Sequence, residues 1–169
     1  MKSTIHDAVN RLQSYIEEEG YRGYDPYDAL KSPFFKLPFL KSTKWIRFAS
    51  QQAVKRSPFN LRSILLVPKG YNPVTLGLCL QAYTRLLAHD KSDVTLKKCL
   101  FLVAELEKLA APGFHGACWG YDFDWEAGHA KLPAYQPTVV ATGIISNALF
   151  LFQEATGNKT AGDLCLSAC

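Results

Sequence analysis

The residue types best suited to chemistry lie in one long segment, residues 112–137, between two stretches with helical patterning. Three carboxylates, Asp122, Asp124 and Glu126, occupy alternate positions in it. Carboxylates accept hydrogen bonds from sugar hydroxyls and exchange protons with a glycosidic oxygen, while flat rings pack on the C–H faces of a pyranose. We therefore interpret the segment as a sugar-binding cleft. Asp122 and Asp124 are its catalytic candidates, and its substrate-binding candidates are Trp119, Tyr121, Trp125, Glu126 and Tyr135.

The order of residues 121–125 predicts how acids and rings divide between two surfaces. In an extended segment, Tyr121, Phe123 and Trp125 point to one side and the two aspartates between them point to the other. The alternative for each aspartate is a structural role in which its carboxylate caps a turn of its own backbone. The alternative for Trp119 and Trp125 is that they anchor the loop in the core.

A shorter segment with similar chemistry lies nearer the N-terminus, where residues 23–28 read Gly-Tyr-Asp-Pro-Tyr-Asp. Asp25 is a third catalytic candidate, and Tyr24 and Asp28 are further substrate-binding candidates. Asp25 also directly precedes Pro26, and an aspartate at this position commonly caps a turn. Both interpretations of Asp25 stay open from the sequence alone.

The composition is that of one soluble globular domain covering residues 1–169. Apolar residues make up 48% and charged residues 20% of the chain, which is enough apolar material for a core. The N-terminus lacks the apolar stretch of a signal peptide, and no run approaches the roughly 18 to 20 apolar residues of a membrane span. We therefore expect no transmembrane segment and a cytoplasmic location.

The cysteines and histidines match no metal-site motif. The odd number of cysteines and the absence of a CxxC pair favour buried structural thiols at Cys79, Cys99, Cys118, Cys165 and Cys169. His115 and Cys118, with His129, are candidate zinc ligands, but their spacing matches no zinc motif. No Gly-rich phosphate loop, HExxH or GxSxG sequence occurs. We expect neither a metal nor a cofactor.

Positive charge is concentrated between Lys31 and Lys69. This stretch carries nine basic residues and no acidic one, whereas the whole chain has a net charge of only +4. It predicts either attraction of an anionic partner or a solvated face balanced by acids from other segments. Nucleic acid is the weakest partner, because no binding motif occurs and the pI of about 8.8 lies below the value above 9 expected for such domains. The remaining anionic partners are an acidic polysaccharide and a lipid-linked precursor at a membrane surface. We expect Lys36, Lys41, Lys44 and Arg47 to attract such a partner at long range.

Apolar residues at three- and four-residue spacing predict six helices, over residues 4–18, 43–56, 73–88, 93–110 and 139–156 and from residue 159 onward. Thr43, Asn72, Ser92 and Thr138 are predicted N-caps, and Gly157 a left-handed C-cap. Ile5, Val9 and Leu12 mark the expected inner face of the first helix, and the expected inner face of the second helix carries Trp45, Phe48, Ala49, Gln52 and Ala53. We expect no substantial β-structure.

The last four helices repeat as two hairpins. Pro137 lies 64 residues after Pro73, and Cys165 lies 66 residues after Cys99. In each hairpin an inner helix that is apolar nearly all round precedes an amphipathic outer one. Inner helices of this kind need neighbours on both sides, as in a ring of hairpins, and this chain supplies about half a ring. We therefore expect the N-terminal part of a longer chain, with an exposed apolar edge on the last hairpin that favours self-association.

Four stretches together resemble the (α/α)-toroid proteins found with polysaccharide-biosynthesis genes, which are similar in fold to six-hairpin glycosidases and to the terpenoid-cyclase toroid. These stretches are residues 23–28, 68–70, 118–125 and 136–142. The resemblance implies an all-α fold of antiparallel hairpins forming part of an (α/α)6-type toroid. It also implies a hydrolase, lyase or epimerase acting on a surface polysaccharide or its precursor. The alternative is a non-catalytic glycan-binding or scaffold module.

Overall fold

The computed structural model describes residues 2–127 and 130–168, and within them the chain is mostly helical. The predicted all-α fold class is confirmed. The α-helices are α1 Lys2–Glu18, α2 Pro38–Ser42, α3 Lys44–Arg56, α4 Pro73–Asp90, α5 Asp93–Lys108, α6 Val139–Thr156 and α7 Lys159–Ser167. Short 3₁₀ helices cover Asp28–Lys31 and Pro33–Lys36, and a two-stranded antiparallel hairpin joins β1 Trp125–Glu126 to β2 Lys131–Leu132.

Local capping signals fix most helix boundaries where the sequence places them. The side chains of Asn72, Ser92 and Thr138 accept hydrogen bonds from backbone N–H groups in the first turns of α4, α5 and α6. Gly157 ends α6 in the left-handed region, at a φ of 71°. The prediction for Thr43 is wrong, because its hydroxyl donates to the carbonyl of Phe39 instead of capping α3.

The core lies among the two predicted hairpins. Helix α4 packs on both α5 and α6, and α6 packs on α7, so the predicted inner helices lie next to each other. At the α4–α6 contact, Gly77 brings the α4 backbone against the buried side chain of Ile145. The fully buried aliphatic side chains of this cluster are Leu76, Leu80, Leu102, Leu106, Ile145 and Leu149.

The buried faces predicted for α1 and α3 are wrong. On α1, Ile5 is 63% exposed, because nothing in the described part of the chain covers the first turns of this helix. Only its C-terminal end is tied down, through Glu17, which accepts hydrogen bonds from Tyr83 and Lys98. On α3, Trp45 is 71% exposed and the buried residues are instead Gln51 and Val54. An amphipathic pattern identifies the apolar face but does not guarantee a covering element.

Helix α6 is the exception to the expectation that no segment is long and apolar enough to span a membrane. Its 18 residues are long and apolar enough to cross a bilayer by length and composition alone, and 28% of them are buried. This is weak evidence, because core helices of water-soluble proteins meet the same criterion. Val139, Val140 and Phe150 on α6 and Leu166 on α7 are exposed. Self-association through this surface stays a prediction.

Cys79 and Cys99 are free thiols that lie in the core. Burial raises the pKa of each of these two thiols to about 11, so both stay protonated near neutral pH. Cys118 and Cys165 are half-buried, and Cys169 lies outside the described residues. The buried pair therefore has the structural role that the sequence predicts.

Two helical glycines give a matched test of the α4–α6 contact. Gly77→Ala places a methyl group about 3.0 Å from the Ile145 side chain, and we expect overpacking to lower the free energy of unfolding by about 1–3 kcal/mol. Gly143→Ala on α6 meets no atom within 4 Å and should raise stability by about 0.5–1 kcal/mol through reduced backbone entropy. Urea unfolding of both variants measures the difference. Equal stabilisation by both would contradict close packing at Gly77.

Candidate functional site

Trp119 anchors the long segment 112–137 to the helical core. Its ring is fully buried, and its indole N–H donates to the carbonyl of Leu106 at 2.8 Å. Its backbone N–H donates to the Thr142 hydroxyl, and its carbonyl accepts from the N–H of Thr138 at 3.0 Å. The assignment of Trp119 as a substrate-binding residue is therefore corrected, since no ligand reaches this ring. The anchoring alternative describes it.

Three buried carboxylates are each paired with a base from the basic stretch. Asp28 accepts from Arg62 at 2.9 Å through one oxygen and 3.2 Å through the other. The remaining two pairs are Asp122 with Lys31 at 2.6 Å and Glu126 with Arg47 at 2.8 Å. A buried carboxylate is costly without a partner of opposite charge. The Asp122–Lys31 and Glu126–Arg47 pairs therefore tie the long segment to the basic stretch, and the Asp28–Arg62 pair links two parts of residues 28–62 to each other.

These pairs change the interpretation of the basic stretch. Lys31, Arg47 and Arg62 are largely buried and neutralised by acids of other segments, and Lys69 pairs with Glu19 at 2.5 Å. For these four bases the balanced-face interpretation describes the structure. The expected long-range role of Arg47 is corrected, because its guanidinium serves Glu126 within the protein. The sequence contains no local signal for these pairings, since Arg47 and Glu126 lie 79 residues apart.

Gln51 is a buried polar clamp that sequence reasoning missed. From α3, its amide nitrogen donates to the carbonyls of Tyr27 and Asp124, at 3.0 and 3.2 Å. Its amide oxygen accepts from the N–H of Glu126 at 3.0 Å. One side chain thus satisfies three backbone groups and holds residues 124–126 against the turn at Tyr27. The helical pattern did not include Gln51 in the expected inner face of α3, because that face was identified chiefly from apolar side chains.

Asp124 takes a different position from the other acids of the loop. Its side chain is 41% exposed. One oxygen accepts from the N–H of Ala134 at 2.9 Å, and the other lies 3.6 Å from the Lys131 ammonium. Asp124 therefore braces the base of the β1–β2 hairpin, as the turn-capping alternative describes, while its carboxylate stays accessible to a ligand.

Aromatic rings form an open cleft of about 470 Å³, a volume suited to a small ligand. Tyr121 and Phe123 contact each other with ring centroids 5.4 Å apart, and Trp125 meets Tyr27 edge to face at 6.4 Å. The remaining walls are mostly apolar, and Asp25 lies at one edge. All three alternate rings of residues 121–125 line this cleft and both intervening aspartates line a different groove, so the predicted division of acids and rings is observed.

A small polar pocket of about 20 Å³, room for roughly one water molecule, adjoins the cleft at Asp25. Asp28, Lys31 and Asp122 also line it. Its floor is Gly70, whose backbone forms an antiparallel bridge with Gly23. A Cβ at position 70 would overlap the Asp122 carboxylate and crowd the Lys31 ammonium, so only glycine permits this ion pair beside the bridge.

The Asp25 carboxylate has no ion-pair partner among the described residues. One of its oxygens accepts from the N–H of Tyr27 at 2.9 Å, and its own N–H donates to Asp28 at 3.0 Å. The turn-capping interpretation is therefore correct. Burial raises the pKa of Asp25, and the nearby charges of Asp28 and Asp122 raise it further. Asp25 lines both the pocket and the cleft, so a role beyond turn capping is open to it.

Tyr24 and Tyr135 lie at the margin of this site. Tyr24 lines the polar pocket, and the guanidinium of Arg62 lies over its ring at 5.4 Å. Tyr135 is about half exposed and donates its backbone N–H to the carbonyl of Tyr121 at 2.6 Å. Burial, together with the charge of Asp122, raises the pKa of Tyr135. Both rings are accessible to a ligand at the edge of the site.

A basic groove of about 410 Å³ lies on the other side of Phe123. It shares Phe123 with the lining of the aromatic cleft, and it shares Lys31 and Asp122 with the lining of the polar pocket. Its charged lining consists of Lys31, Lys36, Lys41, Arg47, Lys131, Asp122 and Asp124. The cleft, the pocket and the groove therefore adjoin one another and form one composite site.

The described residues contain no group of three or more His, Cys, Asp or Glu side chains arranged to hold a metal ion. Of the candidate zinc ligands, His115 and Cys118 belong to this part of the chain. His129 lies outside the described residues.

Arg62→Met tests whether the buried ion pairs hold the site together. It leaves the Asp28 carboxylate buried without its partner, and we expect the free energy of unfolding to fall by about 3–5 kcal/mol. Arg56→Met is the matched control, because Arg56 is exposed and has no ion pair among the described residues. Asp28→Asn combined with Arg62→Met should recover part of the loss in urea unfolding. Equal losses for the two single variants would contradict the structural role of the pair.

The functional proposal for this chain rests on the geometry of the site. No protein-family model, curated protein or solved structure matches this chain.

Proposed function

We propose that this chain is a carbohydrate-active protein that binds a sugar chain in the aromatic cleft and presents it to the Asp25 carboxyl. The observation that carries the proposal is the place of Asp25, where the cleft meets the polar pocket, together with its raised pKa and lack of an ion pair. A carboxyl with a raised pKa keeps its proton to a higher pH and is therefore better suited to proton donation than an ordinary aspartate. The proposed reaction class is that of a glycosidase, lyase or epimerase.

Asp25 acts as the general acid in this proposal. A glycosidic oxygen next to the cleft receives the Asp25 proton as the bond to the leaving sugar breaks. Asp122, across the polar pocket, is the candidate second carboxylate, which deprotonates water or stabilises positive charge on the sugar ring. Asp124 lines the neighbouring groove and is the third candidate. Tyr121 and Trp125 supply the flat surface on which a pyranose packs, and the buried Phe123 supports the Tyr121 ring.

A specific observation favours a second candidate function, a non-catalytic glycan-binding or scaffold module. The carboxylates of Asp28, Asp122 and Glu126 are all buried and paired with bases, as residues that fix a loop are. In that case the rings bind the glycan and the acids only hold the rings in place. The two functions share a ligand and differ only in turnover.

The (α/α)-toroid relationship, the polysaccharide substrate and the cytoplasmic location belong to this proposal as well. The packing of hairpin α4–α5 on hairpin α6–α7 through their first helices is the arrangement that such a ring repeats. The aromatic and acidic loop follows α5, an outer helix, and precedes α6, an inner one. These features support the relationship, and a structure of the protein with a bound oligosaccharide would test it.

Asp25→Asn separates the two candidate functions. The amide keeps an oxygen that accepts from the N–H of Tyr27 but has no acidic proton, so we expect turnover to fall by about 10²- to 10⁴-fold with little change in glycan affinity. The control is Asp163→Asn, an exposed acid on α7. Trp125→Ala should lower affinity about tenfold, from the lost burial of its ring. Titration calorimetry and release of reducing ends measure the two effects.

Three results would count against parts of this proposal. Turnover by Asp25→Asn at the wild-type rate removes Asp25 from catalysis. Glycan binding without turnover in the wild-type protein, lost in Trp125→Ala, establishes the binding module instead. Unchanged glycan affinity in Trp125→Ala contradicts both functions, since each uses the aromatic cleft.

The pH dependence of turnover gives a separate test of Asp25. Its raised pKa keeps the carboxyl protonated to a higher pH than in an exposed aspartate, for which the pKa is about 4. Activity that needs this proton is full below the raised pKa and falls as the pH rises through it. A pH–rate profile of the wild-type protein should show this fall above pH 4. Activity that rises across the same range would contradict the role of Asp25 as an acid.

A further inference from the structure

We propose that the basic groove binds the anionic group of an acidic sugar residue, with Lys36 and Lys41 as its direct ligands. This inference rests on the proposed function, because it assigns the substrate class of the same composite site. The ligand chemistry is a sugar carboxylate or a comparable anion on a sugar bound in the neighbouring cleft.

The first step is the charge of the groove. Among the described residues, five basic and two acidic side chains line it. Like charges gathered around one groove repel each other and are stabilised by an anion placed among them. A neutral ligand would leave that repulsion unrelieved. The groove therefore discriminates in favour of a negative group.

The second step is to identify the basic side chains of the groove that have no ion-pair partner among the described residues. Lys31 pairs with Asp122, Arg47 pairs with Glu126, and Lys131 lies 3.6 Å from Asp124. Lys36 and Lys41 form no side-chain hydrogen bond or ion pair with any described residue. These two ammonium groups are therefore the ones that an incoming anion neutralises.

The third step is the position of Lys41. Its carbonyl accepts a hydrogen bond from the Arg47 guanidinium, which also holds Glu126. The backbone at Lys41 is thus tied to the same ion pair that fixes the long segment. A lysine on a held backbone presents its ammonium to the groove with less loss of freedom than one on a mobile loop.

The fourth step is the distance between sugar and anion. Phe123 lines both the aromatic cleft and the basic groove, so the two adjoin at this residue. The groove, at about 410 Å³, has room for a monosaccharide unit. A sugar chain that packs on the rings of the cleft therefore extends an acidic residue into the groove.

The test compares a uronic-acid oligosaccharide with the same oligosaccharide after reduction of its carboxyl groups. We expect Lys36→Gln combined with Lys41→Gln to lower affinity for the acidic ligand at least tenfold at low salt and to leave affinity for the neutral ligand unchanged. Arg85→Gln combined with Lys97→Gln removes the same net charge from exposed positions outside the groove and should change affinity less than twofold. Raising the salt to a few hundred millimolar, where the Debye length falls below about 8 Å, should reduce the contribution of the two lysines.

The outcomes separate this inference from the proposed function. Equal wild-type affinity for the two oligosaccharides overturns the anionic subsite and leaves the sugar cleft in place. Equal losses in the groove and control variants also overturn it, since only diffuse charge then matters. Unchanged affinity for both ligands in Trp125→Ala overturns the cleft itself. Binding to vesicles of phosphatidylglycerol that depends on Lys36 and Lys41, without binding of the acidic oligosaccharide, assigns the groove to a lipid headgroup and overturns the sugar assignment.

Discussion

The pairing of buried carboxylates with bases is the constraint on which the site depends. Three acids lie at positions where a lone charge would cost several kcal/mol, and each lies within 3 Å of a base from residues 31–62. The bases come from a stretch without acids, and two of the acids come from the long segment, so each of these segments balances the buried charge of the other. The long loop is ordered by charge on one side and by Trp119 on the other.

This electrostatic constraint also determines which residues remain for a ligand. Pairing uses Lys31, Arg47 and Arg62, and it leaves Lys36 and Lys41 with charge that no described residue neutralises. The same selection among the acids leaves Asp25 without an ion pair. Most of the charged groups in the site are therefore paired and have a structural role, and only the unpaired ones remain available for chemistry. Counting charges along the sequence does not show which groups are paired.

The sequence predicts the fold well where the signals are local. Capping at Asn72 and Ser92 and the core helices α4 and α6 follow from patterns within a few residues. The faces of α1 and α3 do not, because apolar spacing gives no information on what covers a helix. In the site, acids and rings are grouped correctly since they are neighbours in the chain. Gln51 was missed because its partners lie 24 and 73 to 75 residues away.

The composite site joins three parts of the chain, and ligand binding would therefore act on the fold itself. Asp25 and Tyr27 come from one turn, Lys36 and Lys41 from the 3₁₀ helix Pro33–Lys36 and from α2, and Phe123 from the long loop. A sugar that contacts all three binds only the folded arrangement, so by mass action it stabilises the protein against unfolding. An acidic sugar would add to this effect by neutralising the charges of Lys36 and Lys41. The charge balance that orders the loop and the proposed recognition of an anion thus depend on one electrostatic arrangement.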